Sequence, residues 1–330
     1  MGDRLPSQLS VVMVVHSDSE NFRMALEHLR AQTVSDLLEL IIVAPSKKEL
    51  NLDSCKLEGF SSHKILELGP LENEGSAKAA GVMAAHAPLV AFMEDHSYPE
   101  PSWGEALIKA HCKGSFAVVG PIMLNANPYS SLSWSCFLAY YGHWIVARPQ
   151  EEVKHLPGNQ SCYKRDLLLK YGSRLPDMLE TESVLHWDLL ARGHHLFQEP
   201  TARVYHLNYS QLSPMLYEYY LTSRIFAANR AQSWRPYRRF FYTLGSPLLP
   251  LIRLRRILKD AIHAGLQAYL IFRAFGALVL VLCAGTMGEI LGYAFGPGKA
   301  YKRLIRFEGK HHLAFTSRDL KAVASVLSQK

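Results

Sequence analysis

The stretch that decides the fold is LSVVMVVHSDSENFRMALEHLRAQT, residues 9–33. Its first seven residues are almost all apolar and are rich in valine, which is typical of a strand covered on both faces. Apolar side chains then recur at helical spacing from Phe22 to Leu29, which predicts a helix over about 21–32 with one buried face. A buried strand followed by an amphipathic helix begins a parallel α/β sheet.

The alternation of strands and helices continues along the chain. Further strands are predicted at 38–43, 64–68, 89–93, 116–119 and 202–206, with helices at 75–86, 103–111 and 182–192. Residues 125–157 are rich in aromatic side chains and are predicted to be irregular. Ligands bind at the carboxyl ends of parallel strands. We therefore expect the chemistry directly after the strands, at 16–19, 44–46 and 94–96.

Length and composition limit the class of protein. The chain has 330 residues, of which 48% are apolar, so it can bury a large core and is not a disordered segment. Its five cysteines are scattered without a CxxC spacing, which argues against a disulfide framework or a zinc ribbon. A reducing cytosolic compartment is expected. The first apolar run is too short to predict a secretory signal.

The net charge of +7 is unevenly distributed. Residues 1–223 have an acidic balance, whereas residues 224–310 contain fifteen Lys and Arg but only three acids. Basic charge beside long apolar runs favours an anionic membrane surface as partner. A nucleic-acid partner is not expected, because such proteins usually present their bases on a soluble, periodic face.

Four further segments carry motifs: ENEGSAKAAGVMAA at 72–85, VAFMEDHSYPEPSW at 90–103, LPGNQSCYKRDLL at 156–168 and ETESVLHWDLLARG at 180–193. Together with the opening stretch, and in this order, they resemble a family 2 glycosyltransferase. The resemblance implies the GT-A fold, an α/β Rossmann-like fold with a mostly parallel sheet. It covers residues 9–206. We expect a catalytic domain over 1–216 and a helical, membrane-associated region over 217–330.

The resemblance places Glu94 and His96 where the family has the two acids of its Asp-x-Asp metal motif. Residues i and i+2 after a strand can point to the same side. The histidine is a departure that favours Mn²⁺ over Mg²⁺ as the divalent ion, because imidazole suits transition metals. His206 stands where a family histidine can reach the metal. The alternatives are a polar turn at Glu94–His96 and a structural histidine at 206.

The resemblance also implies a nucleotide-sugar donor. The residues that would contact the nucleotide or shape its site are His16, Asp18, Asn73, Gly75, Lys78 and Asp95. The alternatives are an ordinary polar turn at His16 and Asp18 and a solvated cation at Lys78. The chain has Ala44-Pro45 where the family commonly has an acidic pair, so the base of the nucleotide is not predicted.

Transfer of a sugar to a hydroxyl needs a base that removes the hydroxyl proton. Counting back from Gly193, the resemblance places Glu182 at the position of the family's catalytic base, an aspartate, with Glu180 as the fallback. The alternative is that Glu182 is an ordinary acid in the first turn of a helix that Thr181 caps.

The C-terminal region has two uncharged runs, 240–252 and 274–288. A spanning helix needs about 20 apolar residues, which neither run reaches unless Arg273 or Glu289 extends toward water. Bases lie on both sides, which predicts an interfacial or hairpin attachment with both ends cytosolic. We expect an inverting transferase that acts on a lipid-linked or glycan acceptor, in the synthesis of cell-envelope polysaccharide. A non-catalytic sugar-nucleotide-binding module and a transferase for a soluble glycan remain alternatives.

Overall fold

The computed structural model describes residues 6–50, 52, 57–150 and 153–328. The chain forms two compact units. The first unit contains residues 1–124 and 147–205, and the second contains 125–146 and 206–330. The sequence suggested a division at 216/217, whereas the units of the structure divide at 205/206, and the second unit also contains the internal segment 125–146.

The first unit contains a mixed eight-stranded sheet with the order β3-β2-β1-β4-β7-β6-β8-β5. The strands are β1 (Leu9–Val14), β2 (Leu38–Ala44), β3 (Ser62–Glu67), β4 (Leu89–Glu94), β5 (Ser97–Pro99), β6 (Phe116–Asn125), β7 (Cys162–Lys164) and β8 (His195–His206). Strands β1 to β4 pair in parallel, whereas β7 is antiparallel to both β4 and β6. Because β1 lies between β2 and β4, the carboxyl ends of these three strands meet at one edge.

Among the residues that the structure describes, six α-helices belong to the first unit. They are α1 (Glu20–Arg30), α2 (Glu74–Ala84), α3 (Trp103–Lys113), α5 (Arg165–Leu169), α6 (Leu175–Glu180) and α7 (Glu182–Ala191). Val12, Ile41 and Phe92 of the sheet share one buried apolar cluster with side chains of α2, α6 and α7. This cluster fixes where the first turns of α2 and α7 lie.

The opening stretch folds as its pattern predicts. Five of the six residues of β1 are buried, in agreement with a strand covered on both faces. Helix α1 begins at Glu20, and the Oγ of Ser19 caps it by accepting a hydrogen bond from the amide of Phe22 at 3.1 Å. The apolar face predicted for this helix is buried.

Several strands differ from their predicted extent. β6 continues through Gly120 and Pro121, and β8 begins before Pro200, although these residues usually interrupt strands. The short strands β5 and β7 were not predicted. Each has three residues, too few to show a periodic pattern.

The second unit is helical. Its helices are α4 (Ser131–Tyr141), α8 (Leu212–Arg230), α9 (Pro236–Gly245), α10 (Leu249–His263), α11 (Ala268–Phe295), α12 (Ala300–Glu308) and α13 (Ser317–Ser328). The prediction that residues 125–157 are irregular was wrong over α4. Serine and apolar residues alternate over 131–136, and apolar residues then continue without a break to Tyr141, so the sequence shows no helical period. Phe137 and Leu138 of α4 are buried, and Leu138 lies in a cluster with Ile257 and Leu278.

Helix α11 continues through Arg273 and Glu289, the two charges that bounded the apolar run. Among the described residues it is the one helix long and apolar enough to cross a membrane. One third of its most apolar window is buried inside the protein. Glu289 is itself buried and pairs with Arg253 of α10, so its charge is neutralised within the protein.

Candidate active site

Glu94 ends β4 at the edge where the parallel strands finish. Both of its carboxylate oxygens accept hydrogen bonds from side-chain amides. Nδ2 of Asn159 lies 2.8 Å from Oε1, and Nε2 of Gln160 lies 2.7 Å from Oε2. The same Gln160 nitrogen also lies 2.7 Å from the Oγ of Ser97. Each carboxylate oxygen offers two lone-pair directions, so the amides fix Glu94 and leave it able to ligate a metal.

The side chains after Glu94 form a carboxylate–histidine pair. Nδ1 of His96 lies 2.9 Å from Oδ1 of Asp95, which is buried. Such a partner holds the Nδ1 proton, which makes Nε2 the nitrogen able to bind a metal. A carboxylate from Glu94 and an imidazole from His96 form a donor set that suits Mn²⁺. The residues present therefore fit a divalent transition metal.

The first turn of α2 connects two predicted nucleotide contacts. Oδ1 of Asn73 caps the helix by accepting from the amide of Ser76 at 2.8 Å. Nε2 of His16 lies 2.7 Å from Oε1 of Glu74, so the turn after β1 is tied to the start of α2. Burial alone would raise the pKa of Glu74, but the hydrogen bond and charge of His16, together with the charge of Lys78, hold it below its usual value.

Asp18 is oriented by its own helix. Its carboxylate pairs with the guanidinium of Arg23, and the Nε–Oδ1 distance is 2.9 Å. The structure therefore places Asp18 in the turn between β1 and α1, as the sequence predicts. Its contact with a nucleotide stays a prediction.

Lys78 connects the two sides of the site. Its ammonium lies 2.7 Å from Oε1 of Glu182 and donates a second hydrogen bond to Oδ1 of Asn159. Burial alone would lower the pKa of Lys78, but the carboxylates of Glu182 and Glu74 raise it above its usual value. Lys78 is thus a paired, buried cation, which excludes the solvated lysine considered from the sequence.

Helix α7 begins at Glu182, where the sequence predicted. Two residues earlier, at the end of α6, Oε2 of Glu180 accepts a hydrogen bond from the amide of Gly75 at 2.6 Å. Burial, with the charges of Glu74 and Glu182, raises the pKa of Glu180 to about 8. The two candidate bases therefore have different surroundings: Glu182 pairs with an ammonium, whereas Glu180 faces a helix N-terminus and other carboxylates.

Two glycines allow these close approaches. A Cβ at Gly75 would lie 2.1 Å from the carbonyl oxygen of Pro176, so α6 could not pack there against a larger residue. A Cβ at Gly158 would lie 2.3 Å from the Cβ of Glu182. The site therefore requires glycine at both positions.

A buried histidine anchors the turn that carries Asn159 and Gln160. His186 of α7 accepts a hydrogen bond at Nδ1 from the amide of Leu156 at 3.2 Å, and its Nε2 lies 2.9 Å from the hydroxyl of Tyr163. Burial lowers the pKa of His186 to about 3, so the ring is neutral at physiological pH. The turn is thereby tied to α7, the helix that begins with Glu182.

His206 is the first residue of the 206–330 segment of the second unit. It is buried, and its Nδ1 lies 3.1 Å from Oδ1 of Asn208. This contact orients the ring in the same way that Asp95 orients His96. The role of His206 as a metal ligand stays a prediction.

Sequence reasoning missed three residues of the site: Glu74, Asn159 and Gln160. Asn159 and Gln160 lie in LPGNQSCYKRDLL, the segment whose resemblance to the family was noted. An amide pair directly after Pro157-Gly158 is the signal that could have identified them. Glu74 offered no signal beyond an acid in a first helical turn.

Comparisons with known proteins identify the fold. No family model matches the sequence, and no curated protein matches it. The mannosyltransferase PcManGT from Pyrobaculum calidifontis, solved with GDP-Man and Mn²⁺, is 14% identical with a TM-score of 0.50, and the match covers 98% of this chain and 89% of that one. GalNAc-T7, solved with UDP, GalNAc and Mn²⁺, is 15% identical with a TM-score of 0.51, over 82% and 56% of the two chains. The chain therefore has the fold of the GT-A glycosyltransferases.

Proposed function

We propose that the protein is an inverting glycosyltransferase of family 2 that moves a sugar from a nucleotide-sugar donor to an acceptor hydroxyl. The observation that carries the proposal is the continuous set of contacts from Glu182 through Lys78 and Asn159 to Glu94. It joins the candidate base to the candidate metal ligand within a fold whose solved relatives hold nucleotides and Mn²⁺.

The proposed reaction is a single displacement at the anomeric carbon. The acceptor oxygen forms the new glycosidic bond while the bond from the anomeric carbon to the nucleoside diphosphate breaks. Glu182 takes the proton of the acceptor hydroxyl, and the electron pair of the broken bond leaves with the diphosphate. Attack opposite the leaving group inverts the anomeric centre.

Glu94 and His96 would hold a divalent ion, with Mn²⁺ preferred over Mg²⁺ because of the imidazole. By the resemblance, His206 is a further ligand. The metal supplies positive charge for the departing diphosphate. The turn after β1, with His16 and Asp18, and the start of α2, with Asn73 and Gly75, would receive the nucleotide. Asp95 supports His96 in this arrangement.

A donor panel tests this function. The purified full chain is incubated with nucleotide-sugars that differ in base and sugar, with Mn²⁺, and release of nucleoside diphosphate is measured. We expect slow hydrolysis of at least one donor, lost in Glu94→Ala. If a donor binds but no nucleoside diphosphate is released, whether or not acceptor glycans or polyprenyl phosphates are added, the result would favour a non-catalytic sugar-nucleotide-binding module.

The membrane is the proposed location of the acceptor. Segment 236–295 exposes fourteen large apolar side chains: Tyr237, Phe240, Phe241, Leu244, Leu248, Leu251, Ile252, Ile262, Tyr269, Phe272, Phe275, Leu280, Met287 and Phe295. A soluble protein rarely exposes so many within one segment. With two thirds of the apolar window of α11 also outside the core, a bilayer is the environment that suits this surface.

The charges of the same segment favour an anionic bilayer. Its acids are Asp260 and Glu289, and both are buried, one beside His143 and the other beside Arg253. Its exposed charges are therefore all basic: Arg238, Arg255, Arg256, Lys259 and Arg273. Anionic headgroups attract such a surface. We place the protein at the cytosolic face of a membrane, attached by an interfacial or hairpin arrangement, with a lipid-linked acceptor.

A further inference from the structure

Asn159 has an environment that few side chains could satisfy. Its carbonyl oxygen accepts from the ammonium of Lys78, and its amide nitrogen donates to Glu94 at 2.8 Å. The reverse orientation would place the carbonyl against a carboxylate and the amide hydrogens against an ammonium. The charges on either side therefore determine which atom of Asn159 faces which partner.

Gln160, the adjacent amide, provides a contrast. It donates to the other oxygen of Glu94 and to Ser97, and its side chain is fully buried. No contact of Gln160 with Lys78 or Glu182 accompanies these bonds among the described hydrogen bonds. Asn159 is thus the amide that contacts both Lys78 and Glu94, whereas Gln160 contacts Glu94 and Ser97.

We propose that Asn159 is a positioning residue that couples the Lys78–Glu182 ion pair to the carboxylate of Glu94. The inference rests on the proposed function, since it takes Glu94 as a metal ligand and Glu182 as the base. The ion pair holds the carbonyl of Asn159, the amide of Asn159 then aims at Oε1 of Glu94, and the carboxylate keeps one orientation. The amide of Asn159 accepts from the cation and donates to the anion at once, which neither a carboxylate nor a second cation could do.

The proposed coupling and simple electrostatics predict opposite changes in Mn²⁺ affinity when Lys78 is removed. If Lys78 acted on a nearby cation through its charge alone, its removal would strengthen Mn²⁺ binding. If Lys78 instead holds Asn159 in place, its removal loosens Glu94 and weakens Mn²⁺ binding. Residues that orient metal ligands typically contribute about 10- to 100-fold to metal affinity.

The test is a double-mutant cycle read by Mn²⁺ binding to the full chain without nucleotide, with unbound Mn²⁺ measured by electron paramagnetic resonance. The proteins are the natural chain, Lys78→Met, Asn159→Leu and the double variant. We expect each single variant to bind Mn²⁺ about 10-fold or more weakly, and the double variant no more weakly than Asn159→Leu. In a Gln160→Met background, Lys78→Met should still weaken binding.

Unchanged Mn²⁺ affinity in Asn159→Leu, tighter binding in Lys78→Met, or additive losses in the double variant would overturn the coupling. Thermal unfolding verifies that each variant folds, and Asn159→Ala replaces Asn159→Leu if the latter does not. Glu94→Ala separates the two claims. If Glu94→Ala binds Mn²⁺ as the natural chain does, both the proposed metal site and the coupling are contradicted. If Glu94→Ala loses Mn²⁺ binding while Asn159→Leu keeps it, only the coupling is contradicted.

Discussion

At the residue scale, the side chains of the two candidate metal ligands are held in place, Glu94 by the amides of Asn159 and Gln160 and His96 by the carboxylate of Asp95. We expect Glu94→Ala or His96→Ala to lower donor turnover by about 100-fold or more, because the developing charge on the diphosphate would lose its metal. Turnover with Mn²⁺ should exceed turnover with Mg²⁺. Both are measured by release of nucleoside diphosphate.

The matched control for this prediction is Glu105→Ala. Glu105 lies on α3 of the same unit and pairs at the surface with Lys109, so its loss should leave turnover unchanged. Full activity of the natural chain in excess chelator would show that no metal is involved.

The second prediction concerns the base. Glu182→Gln keeps the shape of the side chain and removes its basicity, so turnover should fall by about 100- to 10,000-fold while donor affinity changes little. Glu180→Gln should cost much less, because Glu180 faces the amide of Gly75. Steady-state kinetics with donor and acceptor varied separately measures both.

A reversed result, in which Glu180→Gln loses turnover and Glu182→Gln does not, would make Glu180 the base. Loss in neither variant would contradict a protein base at the start of α7. Glu199→Gln, within β8 where Oε1 accepts a hydrogen bond from the amide of Thr201, serves as the control.

The third prediction is a pH dependence of stability at Glu180. The pKa of Glu180 is raised from the usual 4.5 to about 8 in the folded protein. Folding therefore favours its protonated form, and this contribution to stability declines as pH rises from about 4.5 to about 8. Glu180→Gln stays neutral and still accepts from Gly75, so its unfolding temperature should exceed that of the natural chain at pH 8.5 more than at pH 5. An equal difference at both pH values would contradict the raised pKa.

At the element scale, the packing of α2 against α6 depends on Gly75. In Gly75→Ala the new Cβ would press on the backbone of α6, and overpacking of this kind costs about 1–3 kcal/mol. The hydrogen bond from Gly75 to Glu180 would lengthen as the helices separate. We expect a lower unfolding temperature together with reduced turnover, measured by calorimetry and donor release.

The control for this substitution is Gly276→Ala in α11. Gly276 has open space around the Cβ position, and alanine is the better helix former by up to about 1 kcal/mol. The same chemical change should therefore be neutral or stabilising there. Equal destabilisation at both glycines would show that close packing at Gly75 is not the cause.

At the scale of the whole molecule, the exposed apolar and basic surface of segment 236–295 predicts attachment to anionic vesicles. Phe241→Glu places an acid on α9 among exposed apolar side chains, which should weaken vesicle binding through lost burial and through repulsion from anionic headgroups. Flotation with vesicles of phosphatidylglycerol and phosphatidylcholine measures the bound fraction at low and high salt.

Met83→Glu is the matched control, because Met83 is an equally exposed apolar side chain on α2 of the first unit. If Phe241→Glu bound vesicles as the natural chain does, or if Met83→Glu lost as much vesicle binding, segment 236–295 would not be the membrane-binding surface. A tag fused after residue 330 and found on the opposite side of the membrane from the first unit would favour a spanning helix over the interfacial or hairpin arrangement.

The sequence alone determined the elements whose patterns are local. The continuous apolar run of β1 and the four-residue apolar face of α1 follow from local side-chain patterns, which depend only on neighbours in the chain. The same applies to the place of Glu94 and His96 after a strand. Helix α4 was not predicted, because its alternating serines and the apolar run that follows them show no helical period.

Only the tertiary structure decided which side chains meet. Glu94 and Asn159 are separated by 65 positions in the sequence, and Lys78 and Glu182 by 104. Their contacts depend on the order of strands in the sheet and on the packing of α2 against α6, which no local pattern specifies. The buried contacts of Asp260 with His143 and of Glu289 with Arg253 are decided in the same way, and they leave an apolar segment whose exposed charges are all basic. Charge in a sequence is local, whereas its neutralisation depends on partners that folding brings together.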